Sequence, residues 1–207
     1  MKNYIFPLLL FTGIVSYSNA QKVKLGIHVW MTKNLDVSTF RNGDPIPQAQ
    51  TDEEWKRAGE AKQPAWCYFN NDPENGAKYG KLYNWYAVND SRGIAPKGWH
   101  VASDGEWIAL TYWLGGETVA GGKMKSTAGW NEPNLDASNN SGFLALPGGN
   151  RGYNSSFFGI GEWGYWWSSS EHSATLAWTH FLGYSKADVY KSNYGKDFGM
   201  AVRCVKD

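Results

Sequence analysis

One segment of this 207-residue sequence, residues 150–196, is rich in the residues that form adaptable recognition surfaces. Tyr, Ser, Asn and Gly fill 22 of its 47 positions. Antibody paratopes have this composition, because rigid amphipathic rings supply contact area while small polar residues adapt their hydrogen bonds. Exposed rings of this kind stack on sugars or anchor a protein partner, whereas buried ones only fill the undersides of loops. The candidate ligand contacts are Arg151, Tyr153, Trp163, Tyr165, Tyr184 and Tyr190.

A polar cluster after Trp130 has the residue types that calcium prefers. Glu132, Pro133 and Asn134 are similar to the triplet with which mannose-type C-type lectins chelate calcium and sugar hydroxyls, and Asp136 adds another oxygen. The late strands lack the second ligand block of such lectins, so a polar loop with a proline turn is the alternative. Glu132, Asn134 and Asp136 are the candidate calcium ligands, and no other cofactor is predicted.

Two motifs resemble nucleotide-binding or catalytic sequences but lack essential residues. The segment 121–127, GGKMKST, lacks the first glycine of a phosphate-binding loop, and Met124 stands where Ser or Thr should be. His100 lies near Ser103 and Asp104, but no nucleophile elbow accompanies them. We expect a glycine turn with solvated lysines at the first motif and a structural histidine at the second. No catalytic residue is predicted, and the chain is interpreted as a non-enzyme.

The first 20 residues have the pattern of a secretory signal peptide. Lys2 precedes an apolar run over residues 4–17, and small residues end at Ala20, where cleavage is expected. The run is too short to span a bilayer as a helix. We therefore expect residues 21–207 to be secreted, periplasmic or at the cell surface, without membrane insertion. Lys and Arg number 20 against 19 Asp and Glu, which does not favour nucleic acid as a partner.

The chain has two cysteines, Cys67 and Cys204. An even count in an exported protein favours a disulfide, which here would connect an early segment to the last strand. The alternative is a pair of buried free thiols that pack as small apolar groups. Their separation excludes a CxxC redox motif, and with only four scattered histidines they make no zinc site.

The elements that position these residues begin with short helices. Residues 51–54 and 103–106 each place Thr or Ser three positions before Glu, which is the capping-box pattern at a helix start. The first helix is expected to continue to about Arg57. The second is expected to run to Leu114 and to bury one apolar face, and residues 79–88 form a third helical candidate.

The last third of the chain has the two-residue period of strands. Apolar residues alternate over residues 176–182 and again over residues 198–205, with a polar segment between them. This pattern predicts a β-hairpin with a long turn, and residues 165–170 form a further strand candidate. Helices early and strands late predict a single α+β domain.

A series of sequence blocks covers almost the whole mature chain. They are WMTKNLDV at 30–37, FRNGDPIP at 40–47, PAWCYFNNDPENGAKYGKLYNWYAV at 64–88, APKGWHVASDGEW at 95–107, and the later YWWSSSE and FGMAVRCVKD. From about residue 27 to 207 the chain resembles the Fibrobacter succinogenes major paralogous domain family. The resemblance implies a secreted bacterial domain with no settled activity.

The block KGWHVASDGEW, followed much later by a glycine-led terminal strand, is similar to the formylglycine-generating-enzyme branch of the C-type-lectin-like fold. This resemblance implies one C-type-lectin-like α+β domain with two or three short helices, a small antiparallel sheet and long ordered loops. The enzymatic branch uses two neighbouring cysteines, and Cys204 has no such neighbour. That departure argues against inherited catalysis, and fold alone does not fix function.

Together these observations predict a secreted, non-catalytic binding module. Its aromatic and polar loops would be presented to a glycan or to a cell-surface protein. Two alternatives remain open, namely an enzyme derived from the formylglycine-generating-enzyme-like fold and a purely structural spacer domain of surface assemblies.

Overall fold

The computed structural model describes residues 21–207 and has a mixed α+β architecture. Within that range there are five α-helices and twelve β-strands, so the predicted α+β class is confirmed. The expectation of two or three short helices and one small antiparallel sheet is wrong, because five helices are present and the strand Trp163–Glu171 pairs in parallel with Gly148–Arg151 and with Ala201–Val202. The signal peptide expected over residues 1–20 lies outside the described residues.

Both capping-box predictions are confirmed. Helix α1 (Asp52–Glu60) is capped by Thr51, and helix α4 (Asp104–Trp113) by Ser103, each with the reciprocal bond from the glutamate three residues on. The other helices are α2 (Pro73–Tyr79), α3 (Trp85–Val88) and α5 (Glu117–Met124). A 3₁₀ turn covers Phe69–Asn71.

One sheet joins the two ends of the described chain. Its order is β1 (Lys22–Leu25), β2 (His28–Met31), β12 (Cys204–Lys206) and β5 (Trp99–Val101). The neighbours in this sheet are antiparallel, so the last strand fills the gap between β2 and β5.

A second sheet is built from the carboxyl-terminal half of the chain. Its order is β10 (Val189–Gly195), β9 (Leu176–Gly183), β8 (Trp163–Glu171), β6 (Gly148–Arg151) and β7 (Phe157–Ile160), and β11 (Ala201–Val202) pairs with β8. Helices α4 and α5 pack on one face of β8–β10. A small ladder joins β3 (Trp66–Cys67) to β4 (Leu82–Tyr83).

The predicted hairpin between residues 176–182 and 198–205 is wrong. The polar segment expected as its turn is itself strand β10, which pairs with β9 over residues 189–195. The terminal residues instead divide into β11 and β12 and join different sheets. The Tyr side chains of β10 can cover apolar neighbours on one face of the strand, even though Ser and Asn make the segment polar. The polarity of this segment was therefore not evidence of a turn.

Two further local predictions need correction. The helix predicted over residues 79–88 is limited to α3, because the preceding residues form β4 against β3. The glycine turn predicted at residues 121–127 is mostly helix α5, and Lys125 after it is buried. Its ammonium donates to the carbonyl oxygens of Gly183 and Lys186 at 3.1 and 2.8 Å, so it is not a solvated lysine.

Buried indole rings hold the loops onto the sheets. Eight of the twelve tryptophans are buried, and six of these donate their indole N–H to a carbonyl or amide oxygen distant in sequence. Trp85, for example, donates to Ser168 and Trp167 donates to Tyr83. Each bond satisfies a buried polar group at both ends while the ring fills the core.

Both cysteines are free and buried, so the predicted disulfide is not formed. Cys67 packs with Trp55, Phe69 and Leu82, whereas Cys204 packs in the separate cluster around Trp167. Burial raises the pKa of each thiol to about 12. Both groups are therefore neutral at physiological pH and act as small apolar side chains, which was the alternative interpretation.

Candidate ligand-binding surface

The register of β8, β9 and β10 places aromatic side chains on one face of the second sheet. Tyr165 lies opposite Phe181, which in turn lies opposite Tyr190. Directly paired residues project to the same face of a sheet. This face is the one opposite α4 and α5, because the alternate residues Trp166 and Leu182 pack with the buried face of α4.

Seven rings form a continuous surface on this face. Cross-strand neighbours are close, with ring centroids 5.2 Å apart for Tyr165 and Phe181 and 5.1 Å apart for Phe181 and Tyr190. We call this surface the aromatic face, and its members are Tyr153, Trp163, Tyr165, Phe181, Tyr190, Tyr194 and Phe198. Every member is at least partly exposed.

Two glycines leave space for the indole of Trp163 at one end of the aromatic face. A Cβ atom on Gly183 would lie 2.8 Å from the Trp163 ring, and one on Gly159 would lie 3.0 Å from it. Gly159 also has a φ of +77°, which side-chain-bearing residues rarely adopt. The backbone of β7 and β9 therefore fixes the position of this ring.

Tyr153 extends the aromatic face at its other end. Its ring is 64% exposed and lies 5.8 Å from the ring of Phe198, which lies 5.3 Å from Tyr194. Because Tyr194 and Phe198 also pack against the core, the more exposed rings rest on a buried layer. The rings of the aromatic face are thus supported by the protein core on one side and exposed to solvent on the other.

Hydroxyl side chains lie among the rings of the aromatic face. Its other paired positions include Thr179 and Ser192, and the charged residues at its end, Lys196 and Glu171, are bonded to each other. Burial, followed by the neighbouring Tyr194, raises the pKa of the Tyr165 hydroxyl above its usual value. The Tyr165 hydroxyl is consequently protonated and able to donate a hydrogen bond at neutral pH.

Two of the sequence-predicted ligand contacts lie elsewhere. Arg151 is fully buried, and its guanidinium donates to the carbonyl oxygens of Ala49, Thr51 and Ser155. It fastens the start of α1 to the second sheet and is not positioned to contact a ligand. Tyr184 is partly buried against the other core cluster, which includes Trp130 and Leu25. Four of the six predicted contacts are therefore brought together.

Phe181, Tyr194 and Phe198 belong to the aromatic face but were not among the six predicted contacts. The sequence pattern placed Phe181 in a strand but did not identify the neighbouring strands, and so it did not show which other rings lie on the same face as Phe181. The missing signal was the pairing of β9 with both β8 and β10, which no single strand reveals. Phe198 joins the face only because the terminal segment bends back past Tyr194.

The candidate calcium ligands lie in a loop with two exposed carboxylates. Glu132 and Asp136 are exposed, and the side-chain amide of Asn134 donates to the carbonyl of Ser126 at 3.1 Å. Across the part of the chain that the structure describes, no three His, Cys, Asp or Glu side chains cluster in a way that could hold a metal ion. Calcium at these residues stays a prediction.

His100 is held by two carboxylates at the edge of the first sheet. Its Nδ1 lies 2.8 Å from Asp207 and its Nε2 lies 2.8 Å from Glu106. Burial opposes the charged form, but these two hydrogen bonds outweigh it and raise the pKa of His100 above its usual value. Because Glu106 also caps α4, His100 stabilises the junction of β5 with that helix.

Comparison with known proteins matches the chain to one family. The model described as the Fibrobacter succinogenes major domain matches residues 23–206. No curated protein and no solved structure matches the chain. Among residues 21–207, no helix has both the length and the apolar character needed to cross a bilayer.

Proposed function

The chain belongs to the Fibrobacter succinogenes major domain family, and from that premise we propose that it is an exported, non-catalytic module that binds a neutral glycan on the aromatic face. The observation that carries the proposal is the continuous, partly exposed set of seven rings on β8–β10. Single exposed apolar residues are ordinary, but a contiguous apolar surface of this kind is typical of an interaction site.

The chemistry of the aromatic face suits sugars. Ring faces contact the apolar C–H surfaces of a sugar, and the hydroxyls of Tyr165, Tyr190 and Tyr194 can exchange hydrogen bonds with sugar hydroxyls. Lys196, the cation at the end of the aromatic face, is bonded to Glu171, and this pairing favours a neutral ligand over a polyanion. A protein partner is the second candidate, because Tyr and Trp also dominate protein recognition sites.

The finer fold assignment is part of this proposal. The segment that resembles the C-type-lectin-like fold runs from β5 into α4, and β5 pairs directly with the terminal strand β12. This arrangement supports a C-type-lectin-like domain, and an experimental structure compared with that fold tests it. Export follows from the expected signal peptide, and secretion of the full chain with loss of residues 1–20 tests that expectation.

A glycan panel screened with residues 21–207, with calcium and again with chelator, tests the function. Tyr190→Ala should weaken glycan binding about fivefold or more, because a stacked ring contributes roughly 1 kcal/mol or more at such a surface. Tyr112→Ala is the matched control, since Tyr112 is 84% exposed on α4, away from the aromatic face. Equal loss in both variants, or binding only to proteins, would refute the glycan assignment.

A further inference from the structure

The solvent side of helix α4 is apolar. A surface helix normally exposes charged and polar residues on the side opposite its buried stripe. The exposed residues of α4 carry no charge, and they are Gly105, Ile108, Ala109, Tyr112 and Trp113. A helix that is apolar on all sides is usually buried on all sides, so the outer side of α4 has the composition of a contact surface.

Two neighbouring segments extend this surface. The indole of Trp113 packs on the turn between β1 and β2, because a Cβ atom on Gly26 would lie 3.3 Å from it, and Ile27 in that turn is 86% exposed. Val119 of α5 lies beside the end of α4, 3.1 Å from a Cβ atom placed on Gly115. We call this surface the α4 face, and its large apolar members are Ile27, Ile108, Tyr112, Trp113 and Val119.

The α4 face is large enough for a specific protein contact. The exposed fractions of its five members range from 42% to 86%. A buried aromatic side chain covers about 150–250 Å² and an aliphatic one about 60–120 Å², so the exposed parts provide roughly 300–550 Å² of apolar surface. Because interfaces are only about 56–65% apolar, a contact that covers this surface buries roughly 500–1,000 Å² on each partner. A standard-sized interface buries about 800 Å² per partner.

A cavity of about 140 Å³ opens beside Tyr112 on the same face, between α4, the start of α5 and strands β9 and β10. Ile108, Val189 and the Tyr112 ring itself form its apolar walls. A cavity on the order of 150 Å³ with apolar walls holds one benzene-sized ring. The α4 face thus presents a tyrosine ring that is 84% exposed next to a space that fits such a ring.

The polar side chains of the cavity wall are compatible with an inserted tyrosine ring. Lys191 is bonded to Asp104, so its charge is already compensated. Glu117 is exposed, and its carboxylate can accept a hydrogen bond from a tyrosine hydroxyl. Thr111 and His180 also line the cavity, but both are buried and contribute no polar contact to the inserted ring.

We propose that the α4 face is the interface of a homodimer, in which Tyr112 of each copy enters the cavity beside Tyr112 of the other copy. A two-fold axis brings the same surface of both copies together, so that surface must carry both the projecting group and the space that receives it. The α4 face meets this condition, because the ring and the cavity lie side by side on it. Glu117 disfavours an anionic lipid surface, since its carboxylate would face head groups of like charge.

The homodimer leaves the aromatic face open in both copies. His180 lines the cavity, and Phe181 of the aromatic face projects to the opposite side of β9. A soluble glycan would therefore bind each copy in the dimer with the affinity that it has for a single copy. The dimer in turn does not depend on glycan binding.

Sedimentation velocity of residues 21–207 from micromolar to millimolar concentration tests the interface. We expect a concentration-dependent change from the mass of one chain to twice that mass. Tyr112→Ala removes the inserted ring and should raise the dissociation constant at least tenfold, whereas Tyr153→Ala, which removes an exposed ring from the aromatic face, should leave it unchanged. Ile108→Trp should also raise it at least tenfold, because a larger side chain at this half-exposed position fills the cavity.

A mixture of the two variants of the α4 face separates this geometry from unspecific apolar association. In their mixed dimer, the intact Tyr112 of the Ile108→Trp chain can enter the open cavity of the Tyr112→Ala chain, while the second contact has neither a ring nor a cavity. The mixed dimer should therefore be tighter than the homodimer of either variant.

Several results would overturn the proposal. They are the mass of one chain up to millimolar concentration, a dimer that Tyr112→Ala or Ile108→Trp leaves unaffected, loss of the dimer in Tyr153→Ala, and no recovery in the mixture. Single-chain protein that binds phosphatidylglycerol vesicles through Tyr112 would also overturn it, in favour of a membrane contact. No glycan is present in these measurements, so their outcome and that of the glycan screen are separate results.

Discussion

Replacement of Arg151 by Met should destabilise the protein without removing a ligand contact. The guanidinium is fully buried and donates to the carbonyl oxygens of Ala49 and Ser155 in the interior. Met fills similar space but cannot donate, so two buried acceptors lose their partners. Each such loss costs about 1–3 kcal/mol, which gives a decrease of about 4 kcal/mol in the free energy of unfolding.

The ion pair with Asp52 contributes little to this expected loss. Its carboxylate is 60% exposed, and exposed pairs are worth about 0–1 kcal/mol. Asp52→Asn should therefore lower stability by less than about 1 kcal/mol. The two variants separate the buried carbonyl contacts of Arg151 from its charge pairing.

Urea unfolding of residues 21–207, followed by tryptophan fluorescence and circular dichroism, measures both values. A loss of about 4 kcal/mol is a large fraction of the 5–15 kcal/mol typical of a domain. The ligand affinity of the variant that remains folded should match that of the parent protein. A change below about 1 kcal/mol in Arg151→Met, or an equal loss in Asp52→Asn, would refute the structural role.

Three further outcomes are expected. Gly121→Ala should lower the free energy of unfolding by about 1–3 kcal/mol, because its Cβ would lie 2.5 Å from the carbonyl oxygen of Asp188. Gly105→Ala is the control, since no atom lies within 4 Å of its Cβ position, and the urea midpoints of both variants test the prediction. His100→Gln should reduce stability most below pH 6 and little above pH 8. The fold raises the pKa of His100, so protonated His100 stabilises the folded state at pH values below the unfolded pKa of about 6.5, and this stabilisation is lost as the pH rises through the folded pKa. Equal losses of stability at both pH values would contradict this. Ellman's reagent should react with neither cysteine in the folded protein and with both after unfolding without reductant, and silence after unfolding would indicate a bridge.

Local features of the fold could be predicted from the sequence because they depend on neighbouring residues. The caps at Thr51 and Ser103 each need one hydroxyl and one carboxylate within four positions, and both formed as expected. The strand expected at residues 165–170 also formed, within the longer β8. The pairing of strands that are distant in sequence could not be predicted in this way, because the two-residue period of a strand does not identify its partner strand.

The residues of the candidate site likewise divide into those that residue type identifies and those that only the folded structure identifies. Tyr153, Trp163, Tyr165 and Tyr190 could be selected by residue type, since large amphipathic rings in polar segments are candidates for contact. Arg151 was selected on the same grounds, yet carbonyl oxygens from distant loops converge on it and bury it. The cavity beside His180 had no sequence signal, because α4, α5, β9 and β10 meet there only after folding.

The position of β12 between β2 and β5 has a consequence for biosynthesis. The edges of β2 and β5 that face β12 stay unpaired until residues 204–206 have left the ribosome and lie between them. The first sheet is therefore incomplete until residues 204–206 have been synthesised. Nascent chains that lack residues 201–207 should accordingly stay sensitive to protease, and early protease resistance would argue against such a delay.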